Sequence, residues 1–556
     1  MKVLLIPSAV IIPKDMQSIG KIPPVMYPIN GYVILDYLYD MYFNLVDKIY
    51  IIVNENKESI YDYVQSNGKL KNIKIVYLDE IKDLGYSIFK GIEYILEDNE
   101  YEEFELYINY GDTILKNKIQ DVNSDCVFYN SGSVQDKWTF FNEDDQGKII
   151  EIIDKQSTTD IKNINKFFVG VFYITKGLLF NKYLKECINS NQYKNIDSFY
   201  MALKSYSNKI SLKYIYADKW FDIGHSEKYV STKAAVRPRE FNQIQIDTKR
   251  GILTKTSDNK NKLIDEIRWY LKLPDNIKYM TPRIYEYSLD IDNPFVSMEY
   301  YSYHTLHELY LYGDLKEEQW TTIFNRIKVI MDDMSKYTFK DTAKIKDSLN
   351  KMYSDKTFER LNVLEQNDYF KSFFVNNIVV NEIEFPNLKI LIEKLKTLIQ
   401  EQLINTEEEF TIIHGDLCFT NILIDDKLNF LRLIDPRGKF GKCDIYGDKR
   451  YELAKLFHCL DGKYDYIIKD LFDIKVNETQ IELTINMNKN NNCIFECFLE
   501  VFKDDIKNIR EIRLIESLLF LSMIPLHKEN IKRQYAMLAT GLLLLNKCNL
   551  IGEKND

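Results

Sequence analysis

Three absences narrow this 556-residue chain before any motif is read. No long basic run interrupts a sequence of formal charge −10, so nucleic acid is not an expected partner and any phosphate site must be local. No apolar stretch is long enough to cross a bilayer, and the most apolar one near the end, 536–545, is broken by Thr540 and Gly541. No second Cys/His pair stands at metal-site spacing. The eight cysteines are scattered, with Cys493 and Cys497 four apart on an expected helix, and reduced thiols in a cytoplasmic protein are the expectation. Internal repeats are lacking as well. The opening Met-Lys-Val-Leu-Leu-Ile-Pro-Ser has too short an apolar run for a signal peptide and no small-residue cleavage site, and is expected to form a first buried strand.

What is present is globular: 45% hydrophobic and 28% charged residues. The length exceeds one ordinary core, so two or three domains are expected. From residue 2 to about 235, strand-like runs (3–6, 48–53, 73–78, 105–109) alternate with helix-spaced segments (33–42, 58–64, 85–96). That alternation predicts a parallel α/β sheet, in which ligands bind at the carboxyl ends of the strands. Asp112 follows Leu-Tyr-Ile-Asn-Tyr-Gly, and Asp222 lies in Lys-Trp-Phe-Asp-Ile-Gly. A carboxylate just beyond a buried strand can reach a cleft and hold a metal–nucleotide; an Asp there can equally be a turn former or helix cap.

Residues 1–235 resemble the sugar-phosphate nucleotidyltransferases, which join a nucleoside triphosphate to a phosphorylated substrate and release pyrophosphate. Val25-Met-Tyr-Pro-Ile-Asn-Gly-Tyr-Val-Ile-Leu is similar to that family's apolar-Pro-Ile-x-Gly-x-Pro-Ile-Leu segment. Asn109-Tyr-Gly-Asp112 resembles its Asn-Gly-Asp metal site, and Trp220-Phe-Asp-Ile-Gly224 its Trp-x-Asp-x-Gly second metal site. Phe168-Val-Gly-Val-Phe-Tyr173 resembles its substrate strand, which implies substrate contact at Gly170. The resemblance implies a Rossmann-like, GT-A-like α/β domain in which Asp112 and Asp222 share magnesium over the triphosphate. The chain departs from the family in its first loop. The family has a glycine-rich loop there, whose N–H groups cradle phosphates. Here the strand runs into Pro7-Ser-Ala-Val-Ile-Ile-Pro-Lys-Asp-Met-Gln-Ser-Ile-Gly20, and Pro24 stands where the family has a lysine. Ser8, Lys14 and Lys21 are the candidates to bind phosphate instead. Two readings stay open, a divergent transferase and a substrate-binding relic.

A boundary is expected near 235–240, where Pro238 favours extended backbone. Beyond it Gln243-Ile-Gln-Ile alternates as a half-buried strand does, and Gly251-Ile-Leu-Thr-Lys255 follows. A helix is expected from 261 to 271, with Glu266 beside its apolar face. A strand Lys and a following-helix Glu can form the ion pair that anchors nucleotide phosphates. Phe295-Val-Ser-Met-Glu-Tyr-Tyr then reads as a strand entering a turn, with a helix from about Thr305.

The densest signal is Thr411-Ile-Ile-His-Gly-Asp-Leu-Cys-Phe-Thr-Asn-Ile-Leu-Ile, followed by Leu-Arg-Leu-Ile-Asp-Pro-Arg-Gly. It sets His414, Asp416 and Asn421 on one loop and Asp435 after the next strand. An Asp can accept a proton, and Asn with a second Asp can hold magnesium, which prefers oxygen ligands. Residues 240–556 resemble the aminoglycoside phosphotransferase and choline kinase-like family. This implies an α+β, two-lobed, protein-kinase-like domain, with an N-lobe of about 240–303 and a C-lobe of about 304–556. By that resemblance Asp416 is the catalytic base, Lys255 and Glu266 are the phosphate-anchoring pair, and Asn421 and Asp435 bind magnesium. Backbone groups of Glu299, Tyr300 and Tyr301 would contact the adenine of ATP. His414 is expected to support the loop by hydrogen bonds. The family often has Asp-x-Glu at the second metal site, whereas here it is Asp435-Pro-Arg437. Arg437 cannot ligate magnesium but can hold a phosphate or an anionic acceptor. With Lys439, Lys442 and Arg450 nearby, hydroxy acids join alcohols, amines and sugars as candidate acceptors. The segment 442–457 should begin the next helix with Asp448 as its cap, and the chain to 556 is expected to be mostly helical, with a polar loop at 488–492. The two halves together imply an enzyme that phosphorylates a small acceptor and couples the phosphate to a nucleotide, CTP being the expected second triphosphate, for surface-polymer synthesis. A kinase fused to a non-catalytic binding module is the alternative.

Overall fold

The continuous apolar run Val3–Ile6 is fully buried, as a strand covered on both faces must be. It forms β1 (Lys2–Pro7), an interior strand of the first sheet in the computed structural model. The structure describes residues 1–54, 57–98, 103–116, 119, 122–132, 138–155, 164–190, 196–224, 226–235, 242–406, 409–487 and 493–548. The junction around Pro238 and the expected loop at 488–492 lie outside them. The chain divides into two compact units, Met1–Gln65 with Lys69–Arg237 and Tyr312–Asp314, and Ser66–Gly68 with Pro238–Leu311 and Leu315–Asp556.

In the first unit the chain alternates through α1 (Ile34–Tyr42), β2 (Lys48–Val53), α2 (Lys57–Ser66), β3 (Ile73–Tyr77), α3 (Leu84–Asp98) and β4 (Glu105–Asn109). The strands lie in the order β4-β1-β2-β3, all parallel. α3 buries Ile88, Ile92 and Ile95 on one helical face against this sheet.

After β4 the pattern changes. A short β5 (Thr113–Leu115) is followed by β6 (Cys126–Ser131), β7 (Thr139–Glu143), β8 (Ile149–Asp154) and β9 (Lys166–Ile174). β9 runs antiparallel to β4, β6 and β7, so the sheet reads β8-β7-β9-β4-β1-β2-β3 and is mixed where an all-parallel one was expected. The reason is connection length. Parallel neighbours need a crossover, usually a helix, and no helix lies between β5 and β9 among the described residues. Helices return with α4 (Gly177–Asn189) and α5 (Ser198–Ser207), then β10 (Lys213–Tyr216), β11 (Trp220–Asp222) and α6 (Ser226–Ala235). The Asp197 carboxylate accepts the N–H of Phe199 at the start of α5 and those of Leu84 and Gly85 at the start of α3.

The second unit opens with β12 (Asn242–Asp247), β13 (Ile252–Ser257), α7 (Lys260–Lys272), β14 (Ile284–Ser288) and β15 (Phe295–Glu299). The strands form an antiparallel sheet ordered β12-β13-β15-β14. α7 is capped by Asn259, whose side chain accepts the Lys262 N–H. Beyond it come α8 (Glu317–Ser335), α9 (Lys356–Glu365), β16 (Phe410–Ile412), β17 (Ile422–Ile424), β18 (Leu431–Leu433), α10 (Lys449–Leu460), α11 (Ile509–Met523) and α12 (Ile531–Lys547). Among the described residues no helix is long and apolar enough to cross a membrane.

The mostly helical expectation fails at 472–485. There Phe472–Asn477 and Gln480–Ile485 pair as a hairpin in a four-stranded sheet with Ile378–Val380 and Ile383–Phe385. Ile481 and Leu483 alternate with exposed Gln480, Glu482 and Thr484, the period of a strand. Glu478, at φ 53°, makes the turn.

A bulge in β9 carries one sharp constraint. The pairing with β6 shifts register between Phe168 and Phe172, and Gly170 sits there at φ 87°. Its carbonyl accepts the Tyr110 N–H, and a Cβ on it would lie 2.5 Å from the Tyr110 ring. Gly170→Ala is expected to cost about 1–3 kcal/mol through strain and overpacking, read as an earlier thermal unfolding transition. An unchanged transition would contradict this account of the bulge.

Candidate functional site

Lys255 lies within β13, and α7 follows only two residues after that strand ends, so the first turns of the helix return over the sheet. This places Glu266 against the lysine. The Lys255 ammonium is 2.8 and 3.0 Å from the two Glu266 oxygens and 2.8 Å from Asp435 Oδ1. Lys255 and Glu266 are buried, while Asp435 is half exposed. Burial alone would strip the lysine of its proton, but Asp435 and Glu266 outweigh it and hold the ammonium above its ordinary pKa.

The loop from β16 to β17 is built on buried hydrogen bonds. Glu452 of α10 accepts the N–H groups of His414 and Gly415, each at 2.8 Å. Trp269 donates its indole N–H to the Ile413 carbonyl at 2.7 Å. Burial pushes the His414 pKa down to about 4, so the ring is neutral. Nε2–H then donates to the Ile434 carbonyl at 2.9 Å and Nδ1 accepts the Asp416 N–H at 3.3 Å. The ring is fully engaged in supporting the loop. Asn421 donates its amide to the Asp416 carbonyl at 2.9 Å and to its carboxylate at 3.2 Å. Asp435 follows β18 at φ 55° and donates its N–H to the Tyr270 hydroxyl. Asp416 is joined by Lys455 of α10, whose ammonium is 2.8 Å from Oδ1. Burial opposes ionisation of Asp416, yet the charge of Lys455 wins and holds the carboxyl well below its usual range.

The carbonyl of Asn421 and the carboxylate of Asp435 are hard oxygen donors of the kind magnesium takes together with phosphate oxygens. No group of three or more His, Cys, Asp or Glu side chains able to hold a metal occurs among the described residues.

The expected adenine-contacting segment is largely occupied. Glu299 N–H donates to the Arg283 carbonyl and Tyr300 N–H to the Gly251 carbonyl, so neither is available to a nucleotide. The Glu299 and Tyr301 side chains instead line, with Arg432, a ≈530 Å³ cavity that Lys255 does not border.

In the first unit, β11 pairs antiparallel with β5, which sets Asp222 opposite Thr113 and beside Asp112. The Asn109 amide ties the intervening loop by donating to the Tyr110 and Thr113 carbonyls. Ile223 N–H donates to the Asp112 carbonyl. A Cβ on Gly224 would lie 2.7 Å from Asp112 Oδ2 and 3.3 Å from Asp222 Oδ1, so two carboxylates converge on one glycine. Asp222 also accepts the Trp138 indole N–H and the Gly224 N–H. Asp112 borders a cavity of ≈460 Å³ whose wall includes Ser8, Tyr110, Gly111 and Asp197. Ser8 is buried and its hydroxyl accepts the Val25 N–H. Lys21 and Lys14 are exposed and do not border this cavity. Lys82 and Lys155 do, and they are the cations that sequence reading missed. Gly170 does not line it either; it packs against Tyr110, which does.

No protein-family model matches the chain. It is 30% identical over 156 residues to the Bifunctional protein GlmU of Methanocaldococcus jannaschii, covering 28% of this chain and 35% of that protein. With the Bifunctional protein GlmU of Methanococcus aeolicus it shares 28% identity over 197 residues, covering 33% and 46%. The chain therefore spans between about a third and a half of the length of these curated relatives. Among solved structures, the nucleoside-diphosphate-sugar pyrophosphorylase from Vibrio cholerae aligns at 14% identity over 42% of this chain and 98% of its own, with a TM-score of 0.33. The similarity to GlmU proteins supports a nucleotidyltransferase-like N-terminal half.

Of the second unit's candidates, the structure brings Lys255, Glu266 and Asp435 together, and Asp416 with Asn421. It separates others. Arg450 is bound up with Asp448 and Glu511, and Lys442 with Asp347. Glu452 and Lys455 were missed: on a buried helix of unremarkable sequence, nothing marks which polar residue turns toward the loop.

Glu452→Ala leaves two buried N–H groups without acceptors. It is expected to destabilise the second unit by about 1–3 kcal/mol per group, read from denaturant unfolding. Stability equal to the parent would contradict this role. His414, at about 4 folded against 6.5 unfolded, makes the unfolded chain bind the proton first. Its contribution is complete above pH 6.5 and is lost as pH falls toward 4. Between pH 7 and pH 5 the parent should lose about 2 kcal/mol more stability than His414→Gln. Equal losses would show that His414 does not titrate in this way.

Proposed function

We propose that the chain is a bifunctional enzyme: its second unit is a two-lobed small-molecule kinase using ATP, and its first unit (about 1–235) couples the new phosphate to a nucleotide. The observation that carries the kinase reading is the Lys255 ammonium held at 2.8 Å from both Glu266 and Asp435. A buried, permanently charged lysine beside a half-exposed carboxylate is equipped to position nucleotide phosphates. Asn421 and Asp435 hold magnesium, which neutralises charge on the phosphates. Asp416 orients the acceptor hydroxyl and takes its proton. Tyr301 N–H is the one donor of the 299–301 segment without a protein partner among the described residues, and in this reading it is the group left for the adenine.

In the first unit Asp112 and Asp222 hold the ion that accompanies a nucleoside triphosphate, CTP in this reading. The product is a nucleotide-activated building block for surface polysaccharide or teichoic-acid-like polymers, made in the cytoplasm. All eight cysteines are free, which fits a reducing compartment.

A second reading keeps the kinase and makes the first unit a binding module. One observation favours it: Lys14 and Lys21 are exposed and do not border the cavity, so the loop after β1 brings no cation to a phosphate there.

The test is ADP and pyrophosphate release with ATP–magnesium, a panel of nucleoside triphosphates, and alcohol, amine, sugar and hydroxy-acid acceptors. ADP release should fall by about 10²–10⁴-fold in Asp416→Asn. Pyrophosphate release should vanish in Asp112→Asn and Asp222→Asn with ADP release intact. ADP release that survives Asp416→Asn removes the kinase reading. Absence of pyrophosphate with every pair selects the binding module.

A further inference from the structure

We propose that the acceptor phosphorylated at Asp416 is an anion, a hydroxyl-bearing small molecule whose carboxylate or phosphate is held by Lys356 and Arg437. This rests on the kinase reading of the same site and names its substrate class.

Asp416 opens into a cavity of ≈640 Å³ that neither Lys255 nor Asp435 lines, so it lies on the acceptor side of the carboxylate. Lys356 and Arg360 enter it from α9, Arg437 from the turn after β18, and Lys455 from α10. Its acidic lining among the described residues is Asp416 and Asp265. Both are already engaged, Asp416 with Lys455 at 2.8 Å and Asp265 with Lys439 at 2.6 Å. Arg360 donates to the Ser522 carbonyl. Of the other lining cations, Lys262 and Lys351 are exposed, whereas Lys356 and Arg437 are largely withdrawn from solvent and have no ion pair among the described residues.

Like charges gathered in a recess repel one another and lose hydration, a cost that a bound counter-ion removes. The cost is visible at Lys356. Burial, together with Arg437, Lys455 and Arg360, pushes its ammonium well below the ordinary lysine value. An anion entering this cavity would restore that charge, whereas an amine would add to the repulsion. Leu519 and Met523 of α11 supply an apolar wall for a short carbon skeleton. Arg437 also stands on the far side of Gly415, where a Cβ would meet its Cβ at 2.9 Å, so the guanidinium stem is fixed against the loop that carries Asp416.

The step balances with no further reactant. The acceptor oxygen bonds to the γ-phosphorus, the bond from that phosphorus to the β–γ bridging oxygen breaks, and ADP leaves with the electron pair. The acceptor proton passes to Asp416.

The experiment follows thermal unfolding of the full chain at constant ionic strength in chloride, with inorganic phosphate, malonate or choline added. Phosphate or malonate should raise the midpoint saturably, and choline should not. The rise should be lost in Lys356→Gln and in Arg437→Gln and kept in Lys255→Met, which disables the nucleotide side. Phosphate acting alone assigns a phosphate ester, and malonate acting alone a carboxylate. In turnover, the two pocket variants should raise the acceptor KM at least tenfold and leave the ATP KM unchanged. No anion-specific rise, a rise that persists in both pocket variants, a larger effect of choline, or a raised ATP KM would overturn the proposal. An anion response that needs Lys356 and Arg437 in a protein showing no ATP turnover would leave the anion site standing and remove the kinase reading instead.

Discussion

The ammonium of Lys255 is the fixed point of the second unit. A lysine buried this deeply is stable as a cation only if carboxylates meet it, and two do, from elements far apart in the chain. Glu266 commits α7 to its place over the β12–β15 sheet. Asp435 commits the end of β18, and with it the neighbouring loop, to the same point. Removing Lys255 would leave the buried Glu266 carboxylate uncompensated, which is more damaging than loss of an ordinary contact.

The same electrostatic logic, in reverse, shapes the space beyond Asp416. There the carboxylates are already spoken for and cations remain. One side of the loop is thus closed on itself electrostatically and the other is open to a negative group. Asp416 lies between them, kept ionised by Lys455, which is the state in which it can receive a proton.

The parts of this arrangement that could be read from sequence are local ones. Lys255 and Glu266 are adjacent elements of one strand–helix unit, and His414 through Asp435 is a continuous stretch whose spacing survives folding. The parallel half of the first sheet was equally legible, because a helix stands between each of its strands and the next along the chain. What escaped is non-local. Glu452, Lys455, Lys356 and Arg360 reach the loop from helices whose lysines and glutamates look like any others in a chain with 73 Lys and Arg and 83 Asp and Glu. Arg450 and Lys442 were near in number yet turned to other carboxylates. The antiparallel strands beyond Asp112 and the 472–485 hairpin were missed because their short connections carry no helix and the sheets they join are completed by strands far along the chain.

Asp197 illustrates how one side chain can set a larger scale of behaviour. Its carboxylate receives N–H groups from the first turns of both α3 and α5, so neither helix end is satisfied independently. Whatever loosens this residue exposes both ends together. The two helices therefore open and close as one cooperative block, and their first-turn amides should exchange with solvent at a common free energy. Asp197 and Leu84 both belong to the wall of the Asp112 cavity, so that part of the wall shares the fate of the two helix ends.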